Sequence, residues 1–259
     1  MSECYFKAIM KTVWIGTSGW SYGGWIGKFY PDKVPGHKYL EFYAEHFNTV
    51  ENNSSFYHMP RTTTYENWYM ITPAEFVFSL KMNKLFTHQN KLSLTDDLKD
   101  SLEKHLMDMQ VLKEKLGVVL IQLPPSLAYD PDKTEDFLGT VAEITHGMEF
   151  QPRFAVEPRH ESWFDTKAYD LLRKYEIALA IGQSSRYPAA REITSDFVYL
   201  RFHGPKEMFK SLYSEDELAD WWEFIGQSGV DTAYIYFNNT MHGYAIQNAQ
   251  EMKSLGGIS

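Results

Sequence analysis

Cysteine is almost absent from this sequence of 259 residues, in which Cys4 is the single one. One cysteine excludes an intramolecular disulfide and a zinc site built from several cysteines. No apolar run reaches the roughly 18 residues that a membrane-spanning helix needs, and the first residues lack the apolar stretch of a signal peptide. We therefore expect a protein of the reducing cytoplasm that has no membrane partner.

Positive charge is also scarce. The chain has 25 Lys and Arg against 34 Asp and Glu, a formal net charge of −9 at pH 7. A general electrostatic grip on nucleic acid needs a basic surface that displaces counterions, so nucleic acid is not an expected partner. A local basic groove that binds a nucleic-acid end is left open as an alternative.

Nucleotide-binding motifs are missing as well. Gly27 and Lys28 precede Phe29, where a P-loop has serine or threonine, and the leading glycine of that motif would fall on Tyr22. No GxGxxG segment opens a helix. We therefore expect no nucleotide cofactor.

Material for a hydrophobic core is plentiful, since hydrophobic residues make up 44% of the chain and aromatic residues 16%. Eight short runs rich in β-forming residues recur, separated by stretches with helical spacing. They cover residues 13–18, 49–53, 76–81, 117–123, 153–157, 177–182, 197–203 and 233–239. Their hydrophobicity is nearly continuous, which is typical of parallel strands covered on both faces.

Eight alternations of strand and helix favour a closed β/α barrel over an open doubly wound sheet. The length suits such a barrel as one unit, so we predict an α/β fold, a single (β/α)8 TIM-type barrel domain over residues 1–259. Two helices are especially clear. One is predicted from a Thr95 cap to Gly117, and the other begins at Ser214, where Glu217 completes a capping box.

Polar and charged side chains follow nearly every predicted strand, and in a barrel of this type the carboxyl ends of the strands form the working face. Desolvating so many charges without compensation would be unfavourable, which favours a binding pocket there. Other interpretations stay open: Asn53 and Asn239 could close turns, and Lys81 with Glu51 could form a structural ion pair.

Several ordered segments resemble the signature segments of the DUF72 family. They are IGTSGWSYGGWIGKFYP at 15–31, VENNSSFYHMP at 50–60, LKMNKLFTH at 80–88, IQLPP at 121–125, AVEPRHESW at 155–163, YLRFHG at 199–204 and YFNNTMHGYAIQNA at 236–249. The resemblance implies a β/α barrel, and because the family is known as a domain of unknown function, it implies a site and not a reaction.

Residue by residue, the resemblance points to a set of positions at the strand ends. They are Trp20, Tyr22, Glu51, Asn53, Tyr57, Lys81, His88, Glu157, Arg159, His160, Trp163, Arg201, His203, Asn238, Asn239 and Asn248. One position departs from the family pattern. Relatives often have an acidic residue after the sixth strand, whereas this chain has Gln183, which puts in doubt any mechanism that needs a carboxylate there.

The chemistry of these residues suggests an enzyme that acts on a polar, anionic small molecule, phosphorylated or sugar-like. We expect Glu51, Glu157, Lys81 and His203 to be catalytic, with a glutamate as general acid or base. The others would bind substrate: Arg159, Arg201, His88 and His160 hold charge, Trp20, Tyr22, Tyr57 and Trp163 offer flat faces, and Asn53, Asn238, Asn239 and Asn248 bind polar groups.

Two alternatives remain. The glutamates with His88, His160 and His203 could hold a divalent metal in a metal-dependent phosphoesterase, although no tight motif such as HExxH is present. The same cationic rim could instead belong to a non-catalytic protein that binds an anion or a nucleic-acid end. The sequence does not predict an oligomeric state.

Overall fold

A computed structural model describes residues 12–258 and places eight parallel strands in a barrel, as predicted. Cys4 lies outside the described residues. The strands are β1 Thr12–Thr17, β2 Thr49–Asn52, β3 Val77–Lys81, β4 Leu116–Gln122, β5 Arg153–Glu157, β6 Ala178–Gln183, β7 Phe197–Phe202 and β8 Thr232–Phe237. Each lies within two residues of its predicted bounds, because the buried apolar runs that mark them are short and well separated.

The strands pair in the order β1-β8-β7-β6-β5-β4-β3-β2, and the ring closes between β1 and β2. There, Ser18 and Glu51 form a parallel bridge, and the backbone nitrogen of Gly19 donates to the Glu51 carbonyl oxygen at 2.7 Å. Lower on the seam, a β-carbon on Gly16 would lie 2.2 Å from the Thr49 carbonyl oxygen. Glycine is therefore required at position 16 for β1 to approach β2.

Helices surround the barrel. They are α1 Tyr39–Ala44, α2 Ser54–Tyr57, α3 Thr62–Ile71, α4 Asp96–Met109, α5 Pro131–His146, α6 Thr166–Lys174, α7 Glu215–Gln227 and α8 Tyr244–Leu255, with short 3-10 turns at Gly23–Trp25, Gly36–Lys38, Gln110–Lys115 and Glu161–Trp163 and a π-turn at Leu85–Gln89. None of the helices between residues 12 and 258 is long and apolar enough to span a bilayer.

The predicted alternation of strand and helix is wrong between β6 and β7, where residues 184–196 form a loop. Pro188 lies inside this segment and disfavours a helix across it. Thr194 fastens the loop to the barrel instead: its hydroxyl donates to the Ile177 carbonyl oxygen at 2.6 Å and accepts from the Leu179 nitrogen at 2.7 Å.

One predicted helix boundary is wrong and another is confirmed. Helix α4 ends at Met109, and Gly117 lies inside β4, where a β-carbon would stand 2.5 Å from a Val77 methyl group. Gly117 thus serves close strand packing and not helix termination. At α7 the capping box is present, since the Ser214 hydroxyl and the Glu217 carboxylate each accept from the other residue's backbone nitrogen.

The core has two parts, one between strands and helices and one inside the barrel. The interior is filled by alternate strand residues, among them Val118, Leu120, Tyr199, Tyr234 and Tyr236, so the barrel is a packed core and not a pore. Polar side chains within it are paired: the Tyr236 hydroxyl lies 2.7 Å from Thr49 Oγ1 and 2.8 Å from Ser79 Oγ. Above this layer, at the carboxyl ends, the inward side chains become charged.

The seam between β1 and β2 gives a direct test of the fold. We expect Gly16→Ala to destabilise the protein by about 3 kcal/mol, because the added carbon meets backbone that cannot give way. The free energy of unfolding in urea measures this. The control is Gly226→Ala in α7, where a β-carbon meets nothing within 4 Å and should stabilise by up to about 1 kcal/mol. Equal stabilities for the two variants would contradict the seam geometry.

Candidate active site

The buried guanidinium of Arg201 lies at the centre of a charged layer at the carboxyl ends of the strands. This layer consists of Arg201, Glu51, Glu157, Arg159, His203 and Lys81. Arg201 on β7 is 1% exposed and lies between the carboxylates of Glu51 on β2 and Glu157 on β5. Its Nε and Nη2 donate to the two oxygens of Glu51 at 2.8 and 2.7 Å, and its Nη1 donates to Glu157. One cation thus forms ion pairs with two glutamates whose strands, β2 and β5, are separated by β3 and β4 in the ring.

Glu51 is fully enclosed by donors. Besides Arg201, its carboxylate accepts from the hydroxyl of Ser18 at 2.7 Å, the hydroxyl of Tyr199 at 2.8 Å and the amide of Asn53 at 3.3 Å. Burial alone would raise the pKa of Glu51, but Arg201 and these hydrogen bonds hold it below its usual value. Glu51 is therefore ionised near neutral pH, and its oxygens are already occupied.

Glu157 is held by three cations or donors. Apart from Arg201, Arg159 Nε and His203 Nε2 both lie 3.3 Å from Glu157 Oε1. Burial opposes ionisation, yet the charges of Arg201 and Arg159 lower the pKa of Glu157 well below its usual range. Space for this carboxylate comes from Gly182, where a β-carbon would stand only 3.0 Å from Glu157 Oε1.

These contacts bear on the predicted roles of the two glutamates. A general acid needs a raised pKa, and a good general base needs one near the working pH; both carboxyl groups instead have lowered values. The geometry supports a positioning role, in which they hold Arg201, Arg159 and His203 at the mouth.

The contacts of Glu51 and Glu157 do not suit a divalent metal, because their oxygens already accept from these donors. Within residues 12–258 no three His, Cys, Asp or Glu side chains cluster as ligands.

Lys81, the last residue of β3, behaves differently from the other charged residues. Its Nζ lies 4.1 Å from the centre of the Phe56 ring, and no carboxylate of the described chain forms an ion pair with it. The structural Lys81–Glu51 pair left open by the sequence is therefore not formed, because Arg201 occupies that carboxylate. Burial and the charges of Arg201 and Arg159 lower the pKa of Lys81 to about 7.

Arg159 and two histidines line the same part of the mouth. Arg159 stacks at 4.5 Å on Tyr187, and in the described chain its Nη atoms donate no hydrogen bond. His88 packs edge-on against Phe56 at 4.8 Å, and burial with the charges of Lys81 and Arg159 lowers its pKa to about 4. His160 accepts at Nδ1 from the Ser162 nitrogen and so caps a short 3-10 turn.

His203 and Asn238 form a pair on neighbouring strand ends. The His203 ring links Glu157, through Nε2, to the Asn238 amide, which lies 3.0 Å from Nδ1. Burial lowers the pKa of His203, although Glu157 opposes this effect. A neutral, buried imidazole between an amide and a carboxylate is suited to transferring a proton at the base of the mouth.

The remaining asparagines support loops. Asn248 on α8 is buried: it accepts from the Tyr213 nitrogen at 3.1 Å and from Asn239 Nδ2 at 2.9 Å, and it donates to the Tyr213 carbonyl oxygen at 3.0 Å and to Glu251 at 2.7 Å. Asn239 also donates to the Ser211 carbonyl oxygen at 3.0 Å. Gln183 also supports a loop and does not face the barrel mouth, since its side-chain oxygen accepts from the Tyr213 hydroxyl.

The four predicted aromatic faces have different surroundings. Trp163 is 1% exposed, packs against Tyr129 and donates to the Leu127 carbonyl oxygen, so it lies in the core beneath the loops. Tyr22 donates to the Ser18 carbonyl oxygen, and Trp20 packs edge-on against Trp68. Tyr57, at 59% exposure, is the one of the four with an open face.

Two residues that sequence reasoning missed complete the charged layer. Tyr199, two residues before Arg201 on β7, donates its hydroxyl hydrogen to Glu51. The Arg159 guanidinium stacks on the ring of Tyr187. Strand alternation could have found Tyr199, because residues two apart on β7 share a face. Tyr187 lies in the β6–β7 loop, where the sequence has no periodic signal.

A cavity of about 640 Å³ lies at the opposite end of the barrel, under the amino ends of β5, β6 and β7. Its charged lining residues Arg153 and Arg173 are exposed and paired with Asp196 and with Asp170. None of the predicted site residues lines it. The candidate site is therefore the charged layer at the carboxyl ends.

The chain is similar to known proteins over nearly its whole length. A family described as "Protein of unknown function DUF72" matches residues 14–259. The curated UPF0759 protein YunF of Bacillus subtilis is 27% identical, with 94% of each chain aligned. A DUF72 family protein from Thermotoga maritima has a crystal structure with a TM-score of 0.81 at 26% identity, over 95% of this chain and 99% of that one.

Other barrels share the fold alone. The D-psicose 3-epimerase of Clostridium cellulolyticum aligns with a TM-score of 0.57 at 9% identity, over 93% of this chain and 96% of that chain. Such a likeness supports the β/α barrel and carries no reaction to this chain.

The buried cation gives a prediction on stability. We expect Arg201→Met to destabilise the protein by about 3–5 kcal/mol, because two buried glutamates lose their counterion. Without it their folded pKa values should rise above the unfolded value, so the loss is largest at pH 8 and shrinks towards pH 5 as both are protonated. Urea unfolding at the two pH values measures this.

The control for that measurement is Arg173→Met, which removes an exposed arginine paired with Asp170 and Glu192. It should change stability by less than about 1 kcal/mol at either pH. An Arg201→Met loss as small as that, or one that does not vary with pH, would contradict the charge arrangement.

Lys81 gives a prediction of the opposite sign, since removing its charge should stabilise the protein. Because its folded pKa of about 7 lies below the ordinary lysine value, the unfolded chain binds more protons between these values, and wild-type stability should rise with pH there. Lys81→Met should remove this rise and be more stable than wild type by about 4 kcal/mol at pH 7, with the difference vanishing near pH 10. Lys174→Met on α6 should show no such trend.

Proposed function

The chain belongs to the DUF72 family, whose description assigns no reaction, and from the geometry of its barrel mouth we propose that it is a cytoplasmic enzyme that converts a polar, anionic small molecule. The substrate would be phosphorylated or sugar-like. Lys81 would be the reactive group and Arg159 the anchor for the anion. The observation that carries this proposal is the amine of Lys81, which has no carboxylate partner in the described chain, beside the partly free guanidinium of Arg159.

The charge at the mouth supports an anionic ligand. Glu51 and Glu157 form their ion pairs with Arg201 and Arg159, so Lys81 adds a positive charge that has no ion-pair partner among the described residues. Arginine with free Nη atoms suits the fork-like recognition of a phosphate or carboxylate. An anion bound at Arg159 would therefore gain both charge and hydrogen bonds in a half-buried place.

The reactive group is better assigned to Lys81 than to a glutamate. With a pKa of about 7, about half of the Lys81 side chains are neutral amines at neutral pH, and such an amine can accept a proton or attack an electrophile. The glutamates are ionised and bonded on nearly all sides. Their role in the proposal is to hold Arg201 and Arg159 in place.

A sugar-like ligand fits the rest of the rim. Tyr57 presents an exposed ring, with Lys84 5.8 Å from its centre, and a flat ring of this kind can stack on the apolar face of a sugar. His88 packs on Phe56, the ring that Tyr57 and Lys81 also contact, and with a pKa of about 4 it is neutral at pH 7. A reaction that moves a proton, as an isomerase or lyase does, suits these groups better than metal-dependent phosphoester hydrolysis, for which the described residues offer no ligand cluster.

The proposal predicts exchange or conversion of small anions in D2O. A panel of aldose and ketose phosphates and 2-keto acids is incubated with the protein and followed by proton NMR. We expect at least one compound to lose a carbon-bound proton or to be converted, at a rate that rises with pH around a midpoint near 7. Lys81→Met should lower this rate by at least about 10²-fold, as expected for loss of a proton-transfer group.

Binding is measured in parallel with inorganic phosphate by titration calorimetry. Arg159→Met should weaken phosphate binding by about tenfold or more, since a charge-assisted contact is lost. Lys174→Met and Arg173→Met, far from the mouth, should leave both binding and conversion unchanged. Phosphate binding without conversion of any compound would instead favour the non-catalytic anion-binding protein.

A further inference from the structure

Lys81 has surroundings that suit covalent chemistry. It ends β3 and belongs to the charged layer inside the barrel mouth, with its Nζ over the Phe56 ring at 4.1 Å. The ring excludes water on one side, and no carboxylate of residues 12–258 forms an ion pair with the amine. A lysine that served only as a fixed charge would be expected to have such a partner.

The reason for the missing partner lies with Arg201. The Arg201 guanidinium donates to both carboxylate oxygens of Glu51 and to one of Glu157. These are the two acids whose negative charges act on Lys81. Arg201 and Arg159 in turn disfavour a proton on Lys81. Desolvation and neighbouring cations are the two means by which proteins convert lysine into a nucleophile.

Groups other than the lysine amine are also available for proton transfer. His88 is neutral at pH 7, with Nδ1 2.9 Å from the Thr87 hydroxyl, and it packs on the same Phe56 ring as Lys81. His203 is a second imidazole at the base of the mouth. The site thus holds separate groups for moving protons, which leaves the amine free to form a bond.

We propose that Lys81 forms an imine with an aldehyde or ketone carbon of the anionic substrate. This inference rests on the proposed function and names its substrate class, a carbonyl compound that carries a phosphate or carboxylate. In the step, the Nζ lone pair attacks the carbonyl carbon. The C=O double bond is replaced by C=N, and both amine hydrogens leave with the oxygen as one water molecule, so no oxidant or reductant is consumed.

The imine would then acidify the neighbouring carbon of the substrate. A protonated imine draws electrons more strongly than the parent carbonyl, so a weaker base suffices to take the proton, and the neutral imidazole of His88 packs on the same Phe56 ring as Lys81. Hydrolysis by one water returns the amine and releases the product. The arrangement fits isomerisation or carbon–carbon cleavage next to a carbonyl group.

Reductive trapping tests the inference on the wild-type protein. Pyridoxal 5′-phosphate, an aldehyde with a phosphate, and glyoxylate, a much smaller anionic aldehyde, are each added with borohydride, and the modified lysine is identified by peptide mass spectrometry. At pH 7 the free-amine fraction of Lys81 exceeds that of an ordinary lysine by about 10³-fold. We therefore expect Lys81 to be modified at least about tenfold faster than the exposed Lys33, Lys174 and Lys210.

Two variants separate covalent chemistry from charge. Lys81→Arg keeps a cation at the mouth but cannot form an imine, so it should lose the adduct and keep phosphate binding. Lys174→Met should keep both. The rate of Lys81 modification should rise with pH up to about 7 and level off above it.

The outcomes distinguish this inference from the proposed function. Modification spread evenly over surface lysines with both aldehydes would overturn the imine and leave Lys81 as a base, if turnover still depended on it. Inorganic phosphate is added as a competitor in a parallel reaction. If Lys81 is modified selectively and phosphate does not slow the modification, the result would support Lys81 as a nucleophile but contradict the anion site at Arg159. Selective modification that phosphate slows supports both.

Discussion

The charged layer of this barrel depends on the contact of one buried guanidinium with two buried carboxylates. Arg201 could not be ionised at 1% exposure without them, and Glu51 and Glu157 could not be ionised without Arg201. The contact joins β7 to β2 and β5 across the barrel. It therefore fixes the positions of the strand ends relative to one another as well as the charges of the mouth.

The properties of Lys81 follow from that contact. If either glutamate were free, its charge would pair with Lys81 and hold the amine protonated. Because Arg201 engages both acids, burial and the charges of Arg201 and Arg159 outweigh the opposing charges of Glu157 and Glu51, and the pKa of Lys81 is about 7. The glutamates thus act through the arginine, which leaves the Lys81 amine, and not a carboxylate, as the group without an ion-pair partner among the described residues.

The sequence predicted the barrel, because buried parallel strands have distinct apolar runs, and it located Glu51, Glu157, Lys81 and Arg201 at or near the strand ends, because the residues there are polar. It did not predict the pairing. Which carboxylate pairs with Arg201 depends on the register of strand pairing around the closed barrel, and no local sequence pattern encodes that register. Gln183 shows the same limit: its side chain bonds Tyr213 and faces away from the mouth, and Gly182 faces Glu157 instead. Counting alternate residues back along β6 would have revealed this.

Stability alone does not explain Lys81. A protonated amine without a carboxylate partner, over an aromatic ring and beside two guanidinium groups, lowers the stability of the folded chain, and an apolar side chain of similar length would pack there without this penalty. Arg201 and its glutamates, by contrast, satisfy one another. The unfavourable group is therefore the one that faces Arg159 and His88, where an incoming anion would supply the missing negative charge. This cost to folding, placed on a strand end, is the physical ground for the proposal that Lys81 acts on a bound anion.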